Sequence, residues 1–443
     1  MTVTAIIGAQ WGDEGKGKVV DYYSKGMDKI VRSAGGPNAG HTVYTPDSKK
    51  IILHQVPSGA LYSDKTNLIG NGVVLDPIIL VNKELSALEG CGYNPNLIID
   101  GNTHVILEYH RVLDAAIEKE KSKNGKKVGT TGKGIGPAYA AKALRLAVRF
   151  EDLVDEQRLE RRLNEILPFY IKFIGALDSL PEQYKPGPTA TLEDCVALWT
   201  RDILTQLSTV IPKIDRYIGN VPQILREAIN NGENILIEGA QGTLLDTDHG
   251  TYPMVTSSNS TIGGCITGTG IPPSSIDEVI GVAKAYVTRV GEGPFPTELK
   301  GEIGEKLQTI GGEFGSTTGR PRRCGWQDLV ALKYATDING ITGFAITKLD
   351  ILDSIEEINV CVAYRIDGEK VFDFPRDTEL LAKAEPVLEA FGGWGKQDWK
   401  NIKNKEGIPQ KAQDYLDFIA QTTEVPIKLV SVGSSREETI VFD

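Results

Sequence analysis

The sequence has few cysteines, and no two of them stand at a metal-binding or disulfide-framework spacing. Its five cysteines are scattered along 443 residues without a CxxC motif that would organise zinc ligands. Small secreted domains stapled by dense disulfides have a different pattern, so that class is excluded. Reduced thiols in the cytoplasm fit this pattern best.

Positive charge is also scarce. The 48 lysines and arginines are outnumbered by 59 aspartates and glutamates, which gives a formal charge of -11. General nucleic-acid and membrane-surface binders need a basic excess to offset phosphate charge, so the sequence argues against both classes. No apolar run approaches the length of a membrane span, and the strand-like run at residues 3–7 leaves no room for a signal peptide after Met1. We expect a cytoplasmic protein that binds neither nucleic acid nor membranes.

Alternating strand and helix patterns indicate the fold class. β-branched runs predict strands at residues 3–7, 29–32, 51–53, 234–237, 343–347 and 427–432. Helical patterns lie between them at residues 15–23, 108–121, 156–167 and 326–337. This alternation predicts an α/β fold, with a large, mostly parallel central sheet flanked by helices. We predict a single catalytic domain over residues 1–443, similar to P-loop NTPases and carrying helical insertions.

The most informative segment is GAQWGDEGKGK at residues 8–18, which follows the first predicted strand and opens the first helix. Gly12, Gly15 and Gly17 would let the backbone approach a phosphate, and the helix N-terminus would supply positive potential. Read from Gly12, the segment fits seven positions of GxxxxGK[ST]. Val19 occupies the eighth position, so the hydroxyl that normally binds magnesium is missing.

Two acidic residues inside this segment decide between a phosphate site and simple tight packing. Three glycines alone would suit either interpretation. Asp13 and Glu14 would repel a phosphate unless a metal or a proton transfer uses at least one of them. Asp13 is therefore a candidate base or magnesium ligand.

Two further clusters suit phosphate binding. The first, GGPNAGHT at residues 35–42, places His41 in a turn of small residues, where it could donate to a phosphate or act as a general acid. The second, GTTGKGIGPAY at residues 129–139, offers the Thr131 hydroxyl and neighbouring amides. A flexible surface turn is the alternative for the second cluster.

A long polar loop follows the predicted strand at residues 234–237. Connections of this length inside compact domains are usually functional, and Gln241 and Thr256 could read a base or hold a phosphate. Three further residues of the loop resemble metal ligands by type, but a loop-stabilising hydrogen-bond network is at least as good an interpretation: Asp246, Asp248 and His249.

Two remaining motifs indicate an anion and a base. The segment GSTTGRPRR at residues 315–323 concentrates arginines in an acidic protein, and arginine forks bind carboxylates and phosphates bidentately. TKLD, Thr347 to Asp350, follows an apolar strand-like run and is very similar to the [NT]KxD motif that reads guanine in GTP-binding proteins. The aspartate would accept from the ring N–H and the exocyclic amine, and Lys348 would pack on the base.

In this order, the motifs resemble those of the adenylosuccinate synthetase family from about residue 3 to the last strand-like run near residue 441. The matching segments are QWGDEGKGK, NAGHT, GIGPAY, EGAQGTLLD, DHGTYP, VTSSN, RVGEGPFPTEL, TTGRPRRCGW and TKLD. The resemblance implies GTP-dependent ligation of IMP and L-aspartate to adenylosuccinate through 6-phosphoryl-IMP, with GDP and phosphate as the other products. This reaction is the first committed step of AMP synthesis in purine biosynthesis.

The resemblance also implies residue roles. Asp13 would deprotonate the ring N1 of IMP, and His41 would assist phosphoryl transfer. GTP would be bound by Gly12, Glu14, Gly15, Lys16, Gly17, Lys18, Gly40, Thr42, Arg322, Lys348, Leu349, Asp350, Ser431, Val432 and Gly433. IMP would be bound by Asp13, Lys16, Asn38, Ala39, His41, Thr131, Arg145, Gln241, Thr256 and Arg320. Aspartate would be bound by Ser316, Thr317, Thr318, Gly319, Arg320 and Arg322.

The same resemblance implies one Mg²⁺ per subunit, held by Asp13 and the Gly40 carbonyl, and a homodimer in which Arg145 reaches the IMP phosphate of the neighbouring subunit. Two positions depart from the family pattern. Lys133 replaces an arginine, which keeps the charge but loses the bidentate geometry. Ser434 replaces a proline next to the predicted guanine site.

Two alternatives remain open at this point. A GTP-binding switch protein would also have a phosphate loop and TKLD, but would need neither the arginine segment nor a second phosphate cluster. A related ligase that uses dGMP in place of IMP is the other alternative. In such ligases the resemblance implies that the acidic residue at position 13 is replaced, so Asp13 favours IMP.

Overall fold

A computed structural model describes residues 1–123, 129–187, 190–315 and 319–442. The strands are β1 Val3–Gly8, β2 Lys29–Arg32, β3 His41–Tyr44, β4 Lys50–Leu53, β5 Thr66–Ile69, β6 Val74–Leu75, β7 Asn96–Asp100, β8 His104–Val105, β9 Ile218–Gly219, β10 Ile235–Glu238, β11 Glu278–Lys284, β12 Val287–Arg289, β13 Arg323–Gly325, β14 Gln327–Asp328, β15 Gly343–Thr347, β16 Glu357–Ile366, β17 Glu369–Val371, β18 Glu385–Gly392, β19 Ile427–Ser431 and β20 Thr439–Val441.

The α-helices lie mostly between these strands. They are α1 Lys16–Ser24, α2 Pro77–Ile79, α3 Ser86–Gly90, α4 Glu108–Lys123, α5 Ile135–Leu144, α6 Phe150–Leu153, α7 Glu156–Ala176, α8 Leu192–Leu207, α9 Ile211–Ile214, α10 Val221–Asn230, α11 Ile262–Thr269, α12 Glu302–Ile310, α13 Leu329–Asn339, α14 Thr378–Ala382 and α15 Gln410–Thr423. A π-helical turn, Leu80–Leu85, joins α2 to α3.

Ten strands form the central sheet, in the order β20-β19-β15-β11-β1-β10-β2-β5-β7-β9. All neighbouring pairs are parallel except the edge pair β19–β20. Every residue of β1, β10 and β15 is buried, as expected for parallel strands covered by helices on both faces. The predicted class, a large mostly parallel α/β sheet flanked by helices, is confirmed. The carboxyl ends of its parallel strands meet at one edge, where open α/β sheets bind ligands.

The chain leaves the sheet after β7 and returns at β9, and the intervening segment contains most of the predicted helical insertion. α7 and α8 pack there over a second core, in which Tyr109, Tyr170 and Trp199 are buried. Burying each such ring stabilises the fold by about 1.5–3 kcal/mol.

Two predicted helices have different ends in the structure, and one predicted strand lies elsewhere. α7 continues past Pro168 to Ala176, because its apolar face stays buried and this packing outweighs a proline penalty of about 3 kcal/mol. α13 begins only at Leu329, because the Asp328 side chain caps it by accepting from the Ala331 amide. The predicted strand at residues 51–53 forms a two-stranded hairpin with β3 and lies outside the central sheet. No helix in the described parts of the chain is both long enough and apolar enough to span a bilayer.

Candidate functional site

The loop between β1 and α1 has the backbone geometry of a phosphate cradle. Its φ angles are left-handed at Gly12 (81°), Asp13 (58°) and Gly15 (90°). α1 begins directly after Gly15, and no side chain caps its first amides. Free amides and the positive end of the helix dipole therefore lie at the loop, where they can bind an anion.

The two carboxylates of this loop have different surroundings. Glu14 is fully buried; it accepts hydrogen bonds from the backbone amides of Gln10 (3.1 Å) and Gly12 (2.8 Å) and pairs with Lys16. Asp13 keeps 32% of its side chain exposed. The Glu14 side chain therefore stabilises the loop from inside the protein, and Asp13 is the carboxylate that can face a ligand.

The segment at residues 35–42 packs directly against the start of α1. A Cβ atom at Gly17 would lie 3.0 Å from the Cβ of His41 and 3.1 Å from the carbonyl oxygen of Thr42. A side chain at Gly17 would force the two segments apart, so glycine is needed for this close approach. The phosphate loop and the His41 segment thus belong to one site.

A buried glutamate at the end of β10 organises this side of the site. Glu238 accepts from Arg32 (2.5 Å) and from the hydroxyl (2.9 Å) and amide (2.8 Å) of Ser58, and it pairs with His41 Nδ1. Burial alone would raise the pKa of Glu238, but Arg32 and His41 lower it to about 2. Burial and the charge of Arg32 lower the pKa of His41 to about 4. At neutral pH this cluster contains a neutral imidazole between a carboxylate and a guanidinium.

On the other side of the phosphate loop, Arg322 bridges two carboxylates. Its Nε donates to Asp13 Oδ2 (2.8 Å), and its Nη1 donates to Glu313 Oε2 (2.7 Å). Glu313 is fully buried, so it depends on its cationic partners for stabilisation. An arginine of the predicted aspartate-binding segment is thereby connected to the candidate base.

Three more side chains donate to Glu313. Lys284, at the end of β11, lies 2.9 Å from Oε2; Lys348 and the Tyr286 hydroxyl lie 2.9 and 2.5 Å from Oε1. Burial raises the pKa of Glu313, but the positive charges of Lys284, Lys348 and Arg322 outweigh it and hold that pKa well below its ordinary value. Burial lowers the pKa of Lys284 to about 8. Glu313 is therefore a charged hub.

The arginine segment is a hairpin that starts at Glu313. The Arg322 amide donates to the Glu313 carbonyl (2.8 Å), and Phe314 pairs with Pro321 in an antiparallel bridge. The predicted aspartate-binding residues Ser316, Thr317 and Thr318 lie outside the described residues. Gly319, at the described end of the tip, donates its amide to the Gly315 carbonyl (2.8 Å).

The TKLD motif lies beside the phosphate loop. Thr347 donates its hydroxyl to the Glu14 carbonyl (2.6 Å), which fixes the two motifs to each other. Burial raises the pKa of Asp350, and its buried Oδ1 has no hydrogen-bond partner among the described residues. A buried acceptor without a donor is costly, so Asp350 fits a ligand that brings N–H groups.

The C-terminal loop closes the predicted base site. The Lys348 amide donates to the Ser431 carbonyl (2.9 Å), which places TKLD next to this loop, and Leu349 and Val432 are buried there. Lys18 Nζ donates to the carbonyls of Gly433 (3.2 Å) and Glu438 (2.8 Å). The predicted GTP residues from residues 12–18, 348–350 and 431–433 are thus neighbours.

Several predicted IMP residues also come together. The Asn38 amide lies 3.5 Å from the Thr256 hydroxyl, and the buried Asn38 Oδ1 has no partner in the described parts of the chain. Gln241 follows β10 with a left-handed φ of 52°, and its side-chain oxygen accepts from the Ser258 hydroxyl. The Ala39 carbonyl is hydrogen-bonded to His54. A buried amide oxygen without a donor suits a ligand that brings N–H or O–H groups, such as a base or a ribose.

The 129–139 cluster joins the same site at two points. Lys133 Nζ donates to the Pro37 carbonyl (2.5 Å), so the lysine that departs from the family pattern still connects this cluster to the His41 segment. Arg320 Nη1 donates to the Gly129 carbonyl (3.0 Å). Thr131 is exposed between these contacts.

Arg145 lies elsewhere, at the end of α5. It lines a cavity of about 370 Å³ together with Lys142, Arg149 and Arg158. That lining includes no other predicted substrate residue. The structure therefore does not bring Arg145 to the other IMP residues within one chain.

The acidic residues of the 237–259 loop stabilise the loop itself. Asp246 is fully buried and accepts from the amides of Asp248 (2.9 Å), His249 (3.1 Å), Ser260 (2.6 Å) and Thr261 (3.0 Å). Of the two interpretations of these residues, the structure favours the hydrogen-bond network over a metal site.

Sequence reasoning missed the two buried glutamates and their partners Arg32 and Lys284. A signal was present, because Glu238 directly follows the predicted strand at residues 234–237 and Glu313 lies two residues before the arginine segment. An ionisable residue at the end of an apolar run indicates a polar contact at that edge of the sheet.

The chain is similar to known proteins over nearly its whole length. The adenylosuccinate synthetase family model matches residues 5–440. Adenylosuccinate synthetase from Syntrophotalea carbinolica is 47% identical over 99% of this chain and 98% of its own. The enzyme named adenylosuccinate synthetase in Thermodesulfovibrio yellowstonii is 47% identical over 100% of this chain and 99% of its own.

Solved structures agree as well. The fully ligated adenylosuccinate synthetase from Plasmodium falciparum superposes with a TM-score of 0.90 at 35% identity, and the match covers 100% of both chains. The cyanophage S-2L succinoaminodeoxyadenylate synthetase, bound to dGMP and dATP, shares the fold at a TM-score of 0.60 and 19% identity over 99% of this chain and 95% of its own. The chain therefore belongs to the adenylosuccinate synthetase family and is a ligase that uses GTP to join IMP to aspartate in AMP synthesis.

Proposed function

We propose that the clusters at the carboxyl ends of the parallel strands divide this reaction between them. In the first step the 6-oxygen of IMP attacks the γ-phosphorus of GTP and GDP leaves; in the second, the aspartate amine displaces the phosphate from C6. The amide-like oxygen of IMP is a poor leaving group, and phosphorylation makes it a better one. Positioning and charge stabilisation are what the protein must supply.

The proposed GTP site joins the phosphate loop to TKLD. Gly12 and Glu14–Lys18 would cradle the phosphates together with Gly40, Thr42 and Arg322. Lys348, Leu349, Asp350, Ser431, Val432 and Gly433 would enclose guanine. The observation that carries this assignment is the buried, unpartnered Oδ1 of Asp350, which lies on a motif fixed to the phosphate loop by Thr347.

Asp13 is the proposed base, and His41 the residue that assists phosphoryl transfer. Asp13 is partly exposed while Glu14 is fully buried, so Asp13 is the loop carboxylate that could take the proton from ring N1. Loss of that proton places negative charge on the 6-oxygen and makes it a nucleophile. His41 packs against the first turn of α1 and would contact the phosphoryl group bound there.

We also propose that one Mg²⁺ is held by the Asp13 carboxylate and the Gly40 carbonyl. This small donor set fits, because magnesium usually takes one or two protein oxygens and completes its shell with water and substrate phosphates. When bound, the ion would neutralise charge on the phosphates of GTP. Its binding would compete with the Arg322–Asp13 ion pair.

The substrates would lie between these groups. IMP would be bound by Asp13, Lys16, Asn38, Ala39, His41, Thr131, Gln241, Thr256 and Arg320. Aspartate would be bound by the arginine hairpin at Ser316, Thr317, Thr318, Gly319, Arg320 and Arg322. The short distance between Asn38 and Thr256 and the hydrogen bond from Arg320 to the 129–139 cluster support this arrangement.

A homodimer is the proposed active form, in which Arg145 serves the neighbouring subunit. Arg145 lies away from the other IMP residues of its own chain, in a cavity whose cationic side chains outnumber its carboxylates, so a phosphate reaching that cavity would come from elsewhere. We expect Arg145→Leu to raise the KM for IMP about tenfold, because a charged hydrogen bond to phosphate is lost. An unchanged KM would contradict the shared site.

We further propose that the chain is one catalytic domain and that it is cytoplasmic; the five free cysteines support the cytoplasmic location.

The dGMP-using alternative is distinguished by experiment. Purified protein with magnesium, aspartate and GTP is assayed by the ultraviolet absorbance change on adding IMP or dGMP. Product that requires IMP, aspartate and GTP together is expected. Product with dGMP alone would contradict the assignment of IMP.

A further inference from the structure

Glu313 is connected to two parts of the proposed site that bind different substrates. Through Arg322 it reaches the hairpin assigned to aspartate, and through Lys348 it reaches the motif assigned to guanine. Both cations donate to the same buried carboxylate, one to each oxygen. Glu313 therefore links the two parts of the site directly.

The hairpin carrying Arg322 is held at its stem by Glu313. The carbonyl of Glu313 accepts from the Arg322 amide (2.8 Å), and its side chain accepts from the Arg322 guanidinium (2.7 Å). The same side chain is fixed to the sheet by Lys284 (2.9 Å), from the end of β11. An arginine recognises a carboxylate well only when its planar fork is held in one orientation.

The guanine end is held in a similar way. Lys348 Nζ donates to the Gly311 carbonyl (2.5 Å) and to Glu313 (2.9 Å), so the ammonium group is directed at the hairpin stem. With Glu313 removed, Lys348 would keep one of these two partners. Its aliphatic stem, which is assigned to the face of the base, would then lose its fixed position.

We propose that Glu313 is a positioning residue that couples the guanine site to the aspartate hairpin. The inference rests on the residue roles proposed above for Arg322 and Lys348. Glu313 would touch neither substrate. It would set the orientation of both cations at once, so that a nucleotide seated on Lys348 meets a hairpin already placed for aspartate.

Replacing Glu313 with glutamine tests this coupling. We expect the KM for aspartate and the KM for GTP both to rise about tenfold, the usual effect of losing a hydrogen bond between charged groups. The KM for IMP should change by no more than about threefold, because Asn38, Gln241 and Thr256 form no hydrogen bond with Glu313 among the described residues. A merely structural role would lower the active fraction, and hence the apparent kcat, and leave the KM values unchanged.

The positive charges that would remain around residue 313 do not change the expected rise in the two KM values. With the carboxylate gone, three cations would surround a neutral amide. Lys284 is fully buried, and its pKa is already lowered to about 8 by burial, so it would be the group to release a proton. Loss of orientation at Arg322 and Lys348 therefore remains the main effect.

Two further variants keep the test decisive. Glu298→Gln is the matched control. Glu298 pairs with Arg323 (2.6 Å), the residue that follows Arg322, and it forms no ion pair with Lys348. It should leave the KM for GTP unchanged. If Glu313→Gln does not fold, Tyr286→Phe removes one donor to the same carboxylate, and a smaller, parallel rise in both KM values is expected.

The outcomes separate this inference from the residue roles on which it rests. A rise in only one of the two KM values, or equal rises for Glu313→Gln and Glu298→Gln, would overturn the coupling. Arg322→Leu and Lys348→Met are measured in parallel. If Arg322→Leu raises the KM for aspartate and also, through its proposed phosphate contact, the KM for GTP, and Lys348→Met raises the KM for GTP, while Glu313→Gln raises neither, only the role of Glu313 fails. If they have no effect either, the assigned sites themselves are wrong.

Discussion

Two buried glutamates flank the phosphate loop, and their surroundings differ in charge. Glu238 ends a strand, and its charged partner is Arg32, with the neutral His41 between them. Glu313 ends no strand and is contacted by three cations, Lys284, Arg322 and Lys348. The first cluster is close to neutral, and the second has an excess of positive charge.

This difference indicates what each side of the site is suited to do. A neutral imidazole fixed by a carboxylate suits contact with a phosphoryl group in transfer. An excess of cations suits an anionic substrate such as aspartate. Asp13 lies where the two sides meet and takes part of the positive excess through Arg322.

The largest effect is expected at Asp13, because it is the proposed base of the first step. Asp13→Asn should lower kcat at least about a thousandfold, the range for loss of a general base, and it keeps a hydrogen-bond acceptor for Arg322. Steady-state turnover and thermal unfolding are measured together. Near-normal turnover in a folded variant would remove Asp13 from the base role.

Glu238→Gln should have the next largest effect and should act only through the His41 side. Removing the charge that pairs with His41 and Arg32 should lower kcat about a hundredfold, with little change in the KM for aspartate. Glu233→Gln is the control, because Glu233 pairs with Lys29 near the other end of the β10–β2 pair. Equal losses in both variants would show a general effect on the sheet.

Asp350→Asn tests the base site beyond the Glu313 cluster. The amide can donate where the carboxylate only accepts, so GTP should lose about tenfold in kcat/KM and XTP should gain. Competition between the two nucleotides in one assay gives the ratio directly. An unchanged ratio would place the guanine contact elsewhere.

The last effect concerns stability and not turnover, and it separates the clusters by pH. The folded-state pKa of His41 is about 4, below its unfolded value of 6.5, so unfolded chains bind more protons in this interval and stability falls as pH drops from 6.5 to 4. Full loss would amount to about 3 kcal/mol. Lys284 contributes at higher pH. Its folded-state pKa is about 8 and its unfolded value is 10.5, so stability rises as the pH increases between these two values. The free energy of unfolding is measured with urea at several pH values. For His41→Gln it should change less steeply with pH than in the wild type below pH 6.5, and as in the wild type above pH 8.

Local sequence signals were sufficient for much of the nucleotide region. β2 and β15 match their predicted bounds, and β1 and α1 match within a residue, because apolar runs and glycines mark them directly. The proximity of TKLD to the phosphate loop agrees with the prediction that both follow parallel strands, since the carboxyl ends of such strands lie at the same edge of the sheet.

Long-range contacts could not be predicted in this way. The hydrogen bonds that bring Lys284 and Lys348 to Glu313 join three separate segments of the chain, and no local pattern encodes their meeting. The ten-residue β16 and its antiparallel partners were also missed. Residue roles within the site stay predictions until the variants above are measured.

The helical segment between β7 and β9 is an excursion from the central sheet, and this affects which sequence changes the chain can accept. It leaves the sheet at Asp100 and re-enters at Gly219, and these two residues are paired on neighbouring strands. An excursion whose ends already touch can be lengthened, shortened or exchanged without shifting the register of any other strand. The nucleotide-binding sheet can therefore stay fixed over evolutionary time while residues 129–145, carried on the excursion, adapt to a different substrate or a different neighbouring subunit.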